Sequence, residues 1–237
     1  MNINFKSAWD AFYNQLVTLG GYKRVLEGLQ NTLIIAIVGL VIGIVLGTVL
    51  AVTKVIPQKK ILPKVFARLT DIYVGLFRGT PMVVQLLVFY YVIFPLIGLS
   101  KIPALTVAII CFGMNSAAYI CEIMRSGILS VDKGQMEAGR AIGLSYSQTM
   151  MKIVIPQAVK NILPTIGNEF ISLIKETSVA SFITVVDLTR AFQLIGSANY
   201  EFLVPYIVLA LCYLVIVYFI TLIIKLLERR LRASDRR

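Results

Sequence analysis

Residues 28–53 read GLQNTLIIAIVGLVIGIVLGTVLAVT, and no charged side chain interrupts the run. A helix needs about 20 mostly apolar residues to cross a membrane, so this stretch is predicted to be a spanning helix. Gly39, Gly43 and Gly47 recur at every fourth position, which places them on one helix face. This pattern predicts close packing against a second helix, with a site lined by glycine backbone as the alternative.

The composition of the whole chain agrees with a membrane protein. Of 237 residues, 58% are hydrophobic and 15% are charged, and the mean hydropathy is +0.83. These values exclude a soluble enzyme, a disordered chain and a secreted disulfide scaffold. The sequence has no histidine, which excludes His-based zinc sites and Ser-His or Cys-His nucleophiles. We therefore expect no metal site and no cofactor in this chain.

Three further charge-free runs, residues 79–100, 102–121 and 202–224, are also predicted to span the membrane. A fifth run, residues 162–186, is interrupted by Glu169, Lys175 and Glu176 but is too apolar for a soluble loop. The expected fold is all-α, with five transmembrane helices. The first residues lack the apolar core of a signal peptide, and their aromatic spacing predicts a short helix at the membrane surface.

The distribution of Lys and Arg predicts the orientation, because cytoplasmic loops carry an excess of positive charge. Residues 54–68, residues 125–160 and the tail from Lys225 together hold sixteen positive side chains, and the remaining extramembrane segments hold five. We therefore expect the N-terminus outside and the C-terminus in the cytoplasm. The basic tail is interpreted as a membrane anchor and not as a nucleic-acid site, since no basic face with interleaved aromatics accompanies it.

The segment between spans three and four, about residues 126–163, is longer than the other loops and reads as two short helices. Ser130 or Asp132 is a suitable N-cap for the first helix, and Gly143 is a suitable C-terminal stop. Ser145 and Gln148 match a capping box that opens the second helix, which is predicted to end at Pro156. Such a hairpin either docks a partner or rests on the membrane surface.

Five ordered motifs along the chain resemble the polar amino acid uptake family of ABC importer permeases. The cytoplasmic segment, with Gly134–Gly139, Gly143–Ser145 and Ile153–Ala158, is similar to the EAA loop of these permeases. The other four motifs are Leu76–Pro81 with Gln85, Ala118–Ile128, Asn168–Ile171 and Lys175–Ser178. The resemblance extends from about Gly28 to Leu227, and it departs from the family's motif where Gly139 replaces an alanine.

The resemblance implies that the first loop helix is a coupling helix that inserts into a cytoplasmic ATPase subunit. The residues expected at that contact are Gln135, Glu137, Ala138, Gly139, Arg140 and Gly143. The chain lacks the Gly-x-x-x-x-Gly-Lys-Ser/Thr phosphate loop, so the ATPase activity is expected in a separate subunit. The implied partners are two ABC ATPase subunits, a second permease copy or a paralogue, and an extracytoplasmic solute-binding protein. Such assemblies lie in the bacterial inner membrane.

Charged residues within spans mark transport pathways or ion pairs. Glu122 and Glu169 lie at similar depths from the cytoplasmic side and could face one cavity, where two carboxylates would attract a cationic ligand. The alternative is structural: Glu122 pairs with Arg78 or Arg125, and Glu169 pairs with Lys175. The residues alone leave both interpretations open.

Other polar residues near these carboxylates complete the predicted substrate site. Arg78, Gly79 and Thr80 precede Pro81, which suits a first helical position, so free amide groups there would bind the carboxylate of an amino acid. Asn115 and Ser116, about two turns before Glu122, are expected to add polar contacts. On the outer side, Asp187 and Arg190 are expected to form a surface pair or gate.

The sequence thus predicts an amino acid permease with three regions. These are an outer interfacial segment (residues 1–27), a transmembrane domain (residues 28–227) and a cytoplasmic basic tail (residues 228–237). The paired carboxylates favour basic substrates: arginine, lysine or histidine. A secondary transporter driven by an ion gradient through Glu122 and Glu169 is the alternative. A membrane enzyme is disfavoured, because no paired nucleophile and base are found.

Overall fold

The computed structural model describes residues 5–233, with side chains through Arg229, and this part of the chain contains helices and no strand. The helices are α1 Phe5–Tyr13, α2 Tyr22–Val55, α3 Ile61–Gly79, α4 Met82–Val88, α5 Phe94–Leu96, α6 Ala104–Leu129, α7 Lys133–Ala141, α8 Tyr146–Thr149, α9 Ile155–Glu176, α10 Leu188–Asn199 and α11 Leu203–Ala233. Three π-helical segments, Asn14–Thr18, Phe89–Ile93 and Met150–Val154, and the 3₁₀ segment Thr177–Ile183 extend or join them.

Three helices are long and apolar enough to cross a membrane by themselves: Tyr22–Val55, Ala104–Leu129 and Leu203–Arg229. Two further pairs qualify only if each pair, bent at a short break, counts as one span: Ile61–Gly79 with Met82–Leu96, and Tyr146–Ile183 with Leu188–Asn199. The described residues therefore hold three to five candidate spans. At 34 residues, α2 is about 50 Å long and exceeds the roughly 30 Å hydrocarbon layer.

Helix α3 corrects the prediction that residues 54–68 form a loop. Its buried residues, Ala67, Thr70, Val74 and Phe77, recur at spacings of three and four and form one apolar stripe. Charged residues on the other faces lower the mean hydropathy of the segment. A search for uninterrupted apolar runs therefore missed an amphipathic helix that a periodicity count would have found.

Pro156 does not end the second helix of the hairpin, as had been predicted from the sequence. The helical run starts at Tyr146 and continues through Pro156 and Pro164 to Glu176. The π-helical segment Met150–Val154 directly precedes Pro156. Proline removes one backbone hydrogen bond and crowds the preceding turn, and an irregular turn at this point accommodates both effects.

The chain divides into two compact units. Within the described residues, the first comprises residues 5–39, 81–112 and 172–220, and the second comprises residues 40–80, 113–171 and 221–233. In the first unit, Ala8 and Phe12 of α1 are buried with four apolar residues of α10 and α11: Leu188, Phe192, Ile195 and Val204. The predicted N-terminal helix thus exists, with Phe12 in a protein core and Trp9 and Tyr13 exposed.

Asp187 corrects the prediction of a surface pair with Arg190. Its side chain is fully buried in the first unit and accepts hydrogen bonds from the backbone N–H groups of Thr189 (2.9 Å) and Arg190 (3.1 Å). Asp187 is therefore the N-cap of α10. The guanidinium of Arg190 instead donates to Gln193 at 2.8 Å.

In the second unit, the glycine stripe of α2 packs against α6. A Cβ atom on Gly43 would lie 2.6 Å from Oγ of Ser116, and one on Gly47 would lie 2.8 Å from the backbone of Ala117 and the side chain of Ile120. Larger residues would force the two helices apart. The predicted close packing is confirmed at these two positions.

We expect Gly47→Leu to destabilise the protein, because overpacking a close contact costs about 1–3 kcal/mol. For a chain of this size, that corresponds to a fall in Tm of roughly 2–4 °C per kcal/mol. Gly75→Leu is the matched control, since no atom lies within 4 Å of a Cβ at that helical position. Thermal unfolding of the purified protein in detergent measures both variants. Equal melting temperatures would contradict the packing account.

Candidate functional site

Ser116 and Glu169 form a polar contact inside the second unit. Ser116 lies on α6 and is fully buried, and its hydroxyl donates to Oε1 of Glu169 on α9 at 3.2 Å. Gly43 closes the other side of Ser116. The glycine stripe therefore determines where this hydroxyl lies, and the hydroxyl in turn orients a half-buried carboxylate.

Asn115, the neighbour of Ser116, contacts a different helix. Its amide is almost completely buried and donates to the carbonyl of Phe77, near the end of α3, over a long distance of 3.4 Å. Tyr73 of the same helix donates to the carbonyl of Met114 at 2.6 Å. Residues 114–116 are thus held on one side by α3 and on the other by α9.

Arg78, Gly79 and Thr80 lie at the C-terminal end of α3 and not at a helix start. Thr80 is the C-cap of this helix, and its hydroxyl donates to the carbonyl of Leu76 at 2.8 Å. Pro81 is the N-cap of α4, one position before the predicted place. The expected free amide groups are therefore absent at Arg78 and Gly79. What this segment offers an anion is the exposed Arg78 guanidinium, which lies 5.3 Å from the ring centre of Tyr119.

Glu122 has a cation on each carboxylate oxygen. Lys54 of α2 donates to Oε1 at 2.5 Å, and Arg125 donates to Oε2 through Nε at 3.0 Å and Nη2 at 2.8 Å. Lys54 also lies 3.0 Å from the carboxylate of Asp71 on α3. These contacts favour the structural alternative for Glu122, with Arg125 as foreseen and Lys54 as an additional partner.

The side chains of Ser116 and Glu122 lie apart on α6. Six residues along α6 correspond to about 9 Å and to a rotation that places the two side chains on different faces. The hydroxyl bound to Glu169 and the carboxylate bound to Lys54 therefore belong to two different sites. The second site is called the charged cluster, and it comprises Lys54, Asp71, Glu122 and Arg125.

The caps and the turn of the hairpin within residues 126–163 form as predicted. Of the two candidate N-caps, Asp132 fills the position and accepts from the N–H of Gly134 at 2.6 Å. Gly143 has a φ of +89°, a left-handed conformation that ends the helix and that glycine adopts without strain. Both hydrogen bonds of the capping box between Ser145 and Gln148 are present. Two helices with satisfied ends are thus joined by a tight turn.

The predicted coupling residues separate into an outer and an inner set. Exposed positions of the hairpin carry Gln135, Glu137, Ala138, Arg140 and Gly143. Gly139 is buried instead, and a Cβ there would lie 2.5 Å from the side chain of Thr149 on the other helix. Its small size therefore serves the packing of the hairpin itself. Ile142, 77% exposed beside this set, was not predicted.

Sequence reasoning missed Lys54 and Asp71 as members of a charged cluster. Lys54 was interpreted as one of the positive charges of a cytoplasmic loop, and Asp71 follows that same segment. The available signal for Lys54 was its position directly after the uncharged run of residues 28–53, where a charged side chain either reaches water or requires a partner. No sequence signal identifies which partner that is.

The fold and the hairpin define a membrane-spanning subunit that presents a structured helix pair between two of its candidate spans. The profile of the family described as "Binding-protein-dependent transport system inner membrane component" matches residues 39–233. The chain belongs to this family, as an ABC transporter permease subunit of the polar amino acid uptake group.

Curated relatives cover most of the chain. The arginine transport system permease protein ArtQ of Bacillus subtilis is 40% identical over 211 residues, which is 89% of this chain and 94% of that protein. A putative glutamine transport system permease protein, GlnP, of Rickettsia bellii is 37% identical over 89% of this chain and 94% of that protein. The L-cystine permease TcyB of Bacillus subtilis is 43% identical over 68% of each chain.

Two solved structures share the fold. The crystal structure of an amino acid ABC transporter with histidines superposes with a TM-score of 0.83 at 35% identity, covering 97% of this chain and 100% of that one. The inward-facing MetNI methionine ABC transporter gives a TM-score of 0.74 at 21% identity, covering 88% of this chain and 96% of that one. The second likeness concerns the fold alone.

We expect Gly143→Ala to loosen the hairpin, because a side chain in the left-handed region costs roughly 1–2 kcal/mol. Amide hydrogen exchange over residues 133–154 measures the change, and faster exchange than in the wild type is predicted. Ile142→Ala is the control, since this exposed neighbour shares the turn without a positive φ. Unchanged exchange in Gly143→Ala would show that the turn does not depend on glycine.

Proposed function

We propose that this chain forms the translocation pathway of an ATP-driven importer of amino acids and prefers basic ones. The observation that carries the preference is the carboxylate of Glu169, half-buried in a spanning helix and oriented by the buried Ser116 hydroxyl. A carboxylate in apolar surroundings binds a cation more strongly than it would in water. The names of an arginine permease and of a transporter crystallised with histidines support the same substrate class.

In this proposal, each end of the substrate meets opposite charge. Glu169, with Ser116 and Asn115 beside it, accepts the cationic side chain of the substrate. Arg78, with Gly79 and Thr80, provides the cation for its carboxylate. Glu122 was a further candidate, but both of its oxygens are already held by Lys54 and Arg125, so we assign it no direct contact with substrate.

The assembly and the orientation are also proposals. The exposed positions of the hairpin dock on two ATPase subunits, a second copy or a paralogue completes the pathway, and a solute-binding protein delivers the substrate. Five spans place residues 1–27 outside the bacterial inner membrane. The hairpin within residues 126–163 and the tail at residues 228–237 are then cytoplasmic. The family description and the positive-charge distribution support this arrangement.

The energy source separates this proposal from an ion-coupled carrier. The complex of permease, ATPase and binding protein is reconstituted in liposomes, and arginine uptake is followed with and without ATP. We expect uptake to require ATP and to survive an ionophore that collapses ion gradients. Uptake that persists without ATP and collapses with the ionophore would instead support the carrier, which has no use for a docking hairpin.

Glu169→Gln is expected to reduce arginine uptake more than uptake of a neutral amino acid. Losing a hydrogen bond to a charged group costs about 1.5–3 kcal/mol, which corresponds to a factor of about 10–150. Ser116→Ala should have a smaller effect in the same direction. Glu27→Gln, at an exposed position of α2, is the matched control.

The readout is the ratio of arginine to glutamine transport by the reconstituted complex. A ratio in Glu169→Gln equal to that of the wild type would exclude Glu169 as the determinant of cation preference.

A further inference from the structure

The charged cluster joins three helices of the second unit. Lys54 belongs to α2, Asp71 to α3, and Glu122 and Arg125 to α6. The side chains of Lys54 and Glu122 are only 16% and 18% exposed, so their contact is poorly screened by water. With two cations and two carboxylates the cluster is neutral. Removing the charge of Glu122 leaves two cations facing a single acid.

The same cluster borders the coupling hairpin. Lys54 and Arg125 line a cavity of about 290 Å³ together with residues from both helices of the hairpin, among them Asp132, Lys133, Met136, Tyr146 and Met150. Arg125 lies one turn before the end of α6, and α7 begins only four residues after that end. The hydroxyl of Tyr146 donates to the carbonyl of Val55, next to Lys54, at 3.3 Å. A shift of the hairpin therefore changes the surroundings of Lys54 and Arg125 directly.

The cavity provides room for such a shift. The hairpin contributes Lys133 and Met136 at the start of α7 to the lining, and the charged cluster contributes Lys54 and Arg125. Packed protein interiors change between discrete arrangements of their side chains and helices. The cavity beside the charged cluster leaves space for one such rearrangement of the hairpin. The connection from the hairpin to α2 is short, since Tyr146 contacts the carbonyl of Val55 and lines the same cavity as Lys54.

From this arrangement we infer that Glu122 is a positioning residue that transmits movement of the coupling hairpin to α2 and α3. Its carboxylate holds Lys54 and Arg125 together, so α2 and α6, and α3 through the contact between Lys54 and Asp71, move with the hairpin as one body. The inference rests on the proposed function, because it presumes an ATPase that drives the hairpin. A substrate-site role for Glu122 would predict a changed affinity for substrate in Glu122→Gln, whereas a positioning role predicts an unchanged affinity.

The test compares transport per ATP hydrolysed in the reconstituted complex. We expect Glu122→Gln to lower this ratio by about tenfold, within the range of about 5–150-fold that is typical of coupling between sites. The KM for arginine should remain within about twofold of the wild type, since Glu122 does not contact the substrate. Lys64→Gln, an exposed change on α3 outside the cluster, is the control.

Two further variants keep the test decisive if Glu122→Gln does not fold. Lys54→Gln with Glu122→Gln keeps the cluster neutral but removes the link between α2 and α6, and the ratio should stay low. Glu122→Asp keeps the negative charge at this position, and we expect it to couple better than the neutral double variant. Normal coupling in the neutral double variant, or an altered KM with normal coupling, would overturn the inference.

The outcome for the wild type separates this inference from the proposed function. A wild-type complex without ATP-dependent uptake would refute the proposed function itself. A wild-type complex that imports arginine with ATP, together with a Glu122→Gln complex that couples normally, would refute only the role of Glu122.

Discussion

The need to pair charge in apolar surroundings organises the second unit. An unpaired carboxylate within a spanning helix costs several kcal/mol, so each one requires a cation, a hydrogen-bond donor or both. Glu122 has two cations, and Glu169 has the hydroxyl of Ser116. Both solutions require helices that lie close together. The glycines of α2 make this approach possible, because Gly43 and Gly47 let α6 lie directly against the backbone of α2.

The two paired carboxylates serve different purposes in our account. For Glu169, the hydrogen bond from Ser116 orients the carboxylate that we propose to accept a cation in transit. The Glu122 contact is a salt-bridged network that joins α2 to α6, which suits transmission of movement between helices.

The features that depend on local sequence were predictable. An uncharged run specifies α2, α6 and α11, and turn chemistry specifies the hairpin through Asp132, Gly143 and the capping box. The features that depend on distant partners were not. Lys54 and Glu122 are 68 positions apart, and no local pattern links them. Helix α3 was missed for another reason: its apolar face is only one stripe, so its average hydropathy conceals it.

The central claim is that the hairpin docks on an ABC ATPase subunit. A site-specific photo-cross-link from the hairpin to that subunit tests it most directly. A photoreactive amino acid replaces Ala138, which is exposed on α7, and a second one replaces Leu69, an exposed apolar residue of α3, as the control. Irradiation of intact cells should yield a covalent adduct with an ABC ATPase from position 138 and none from position 69. An adduct-free position 138 in a complex that transports amino acids would contradict the account.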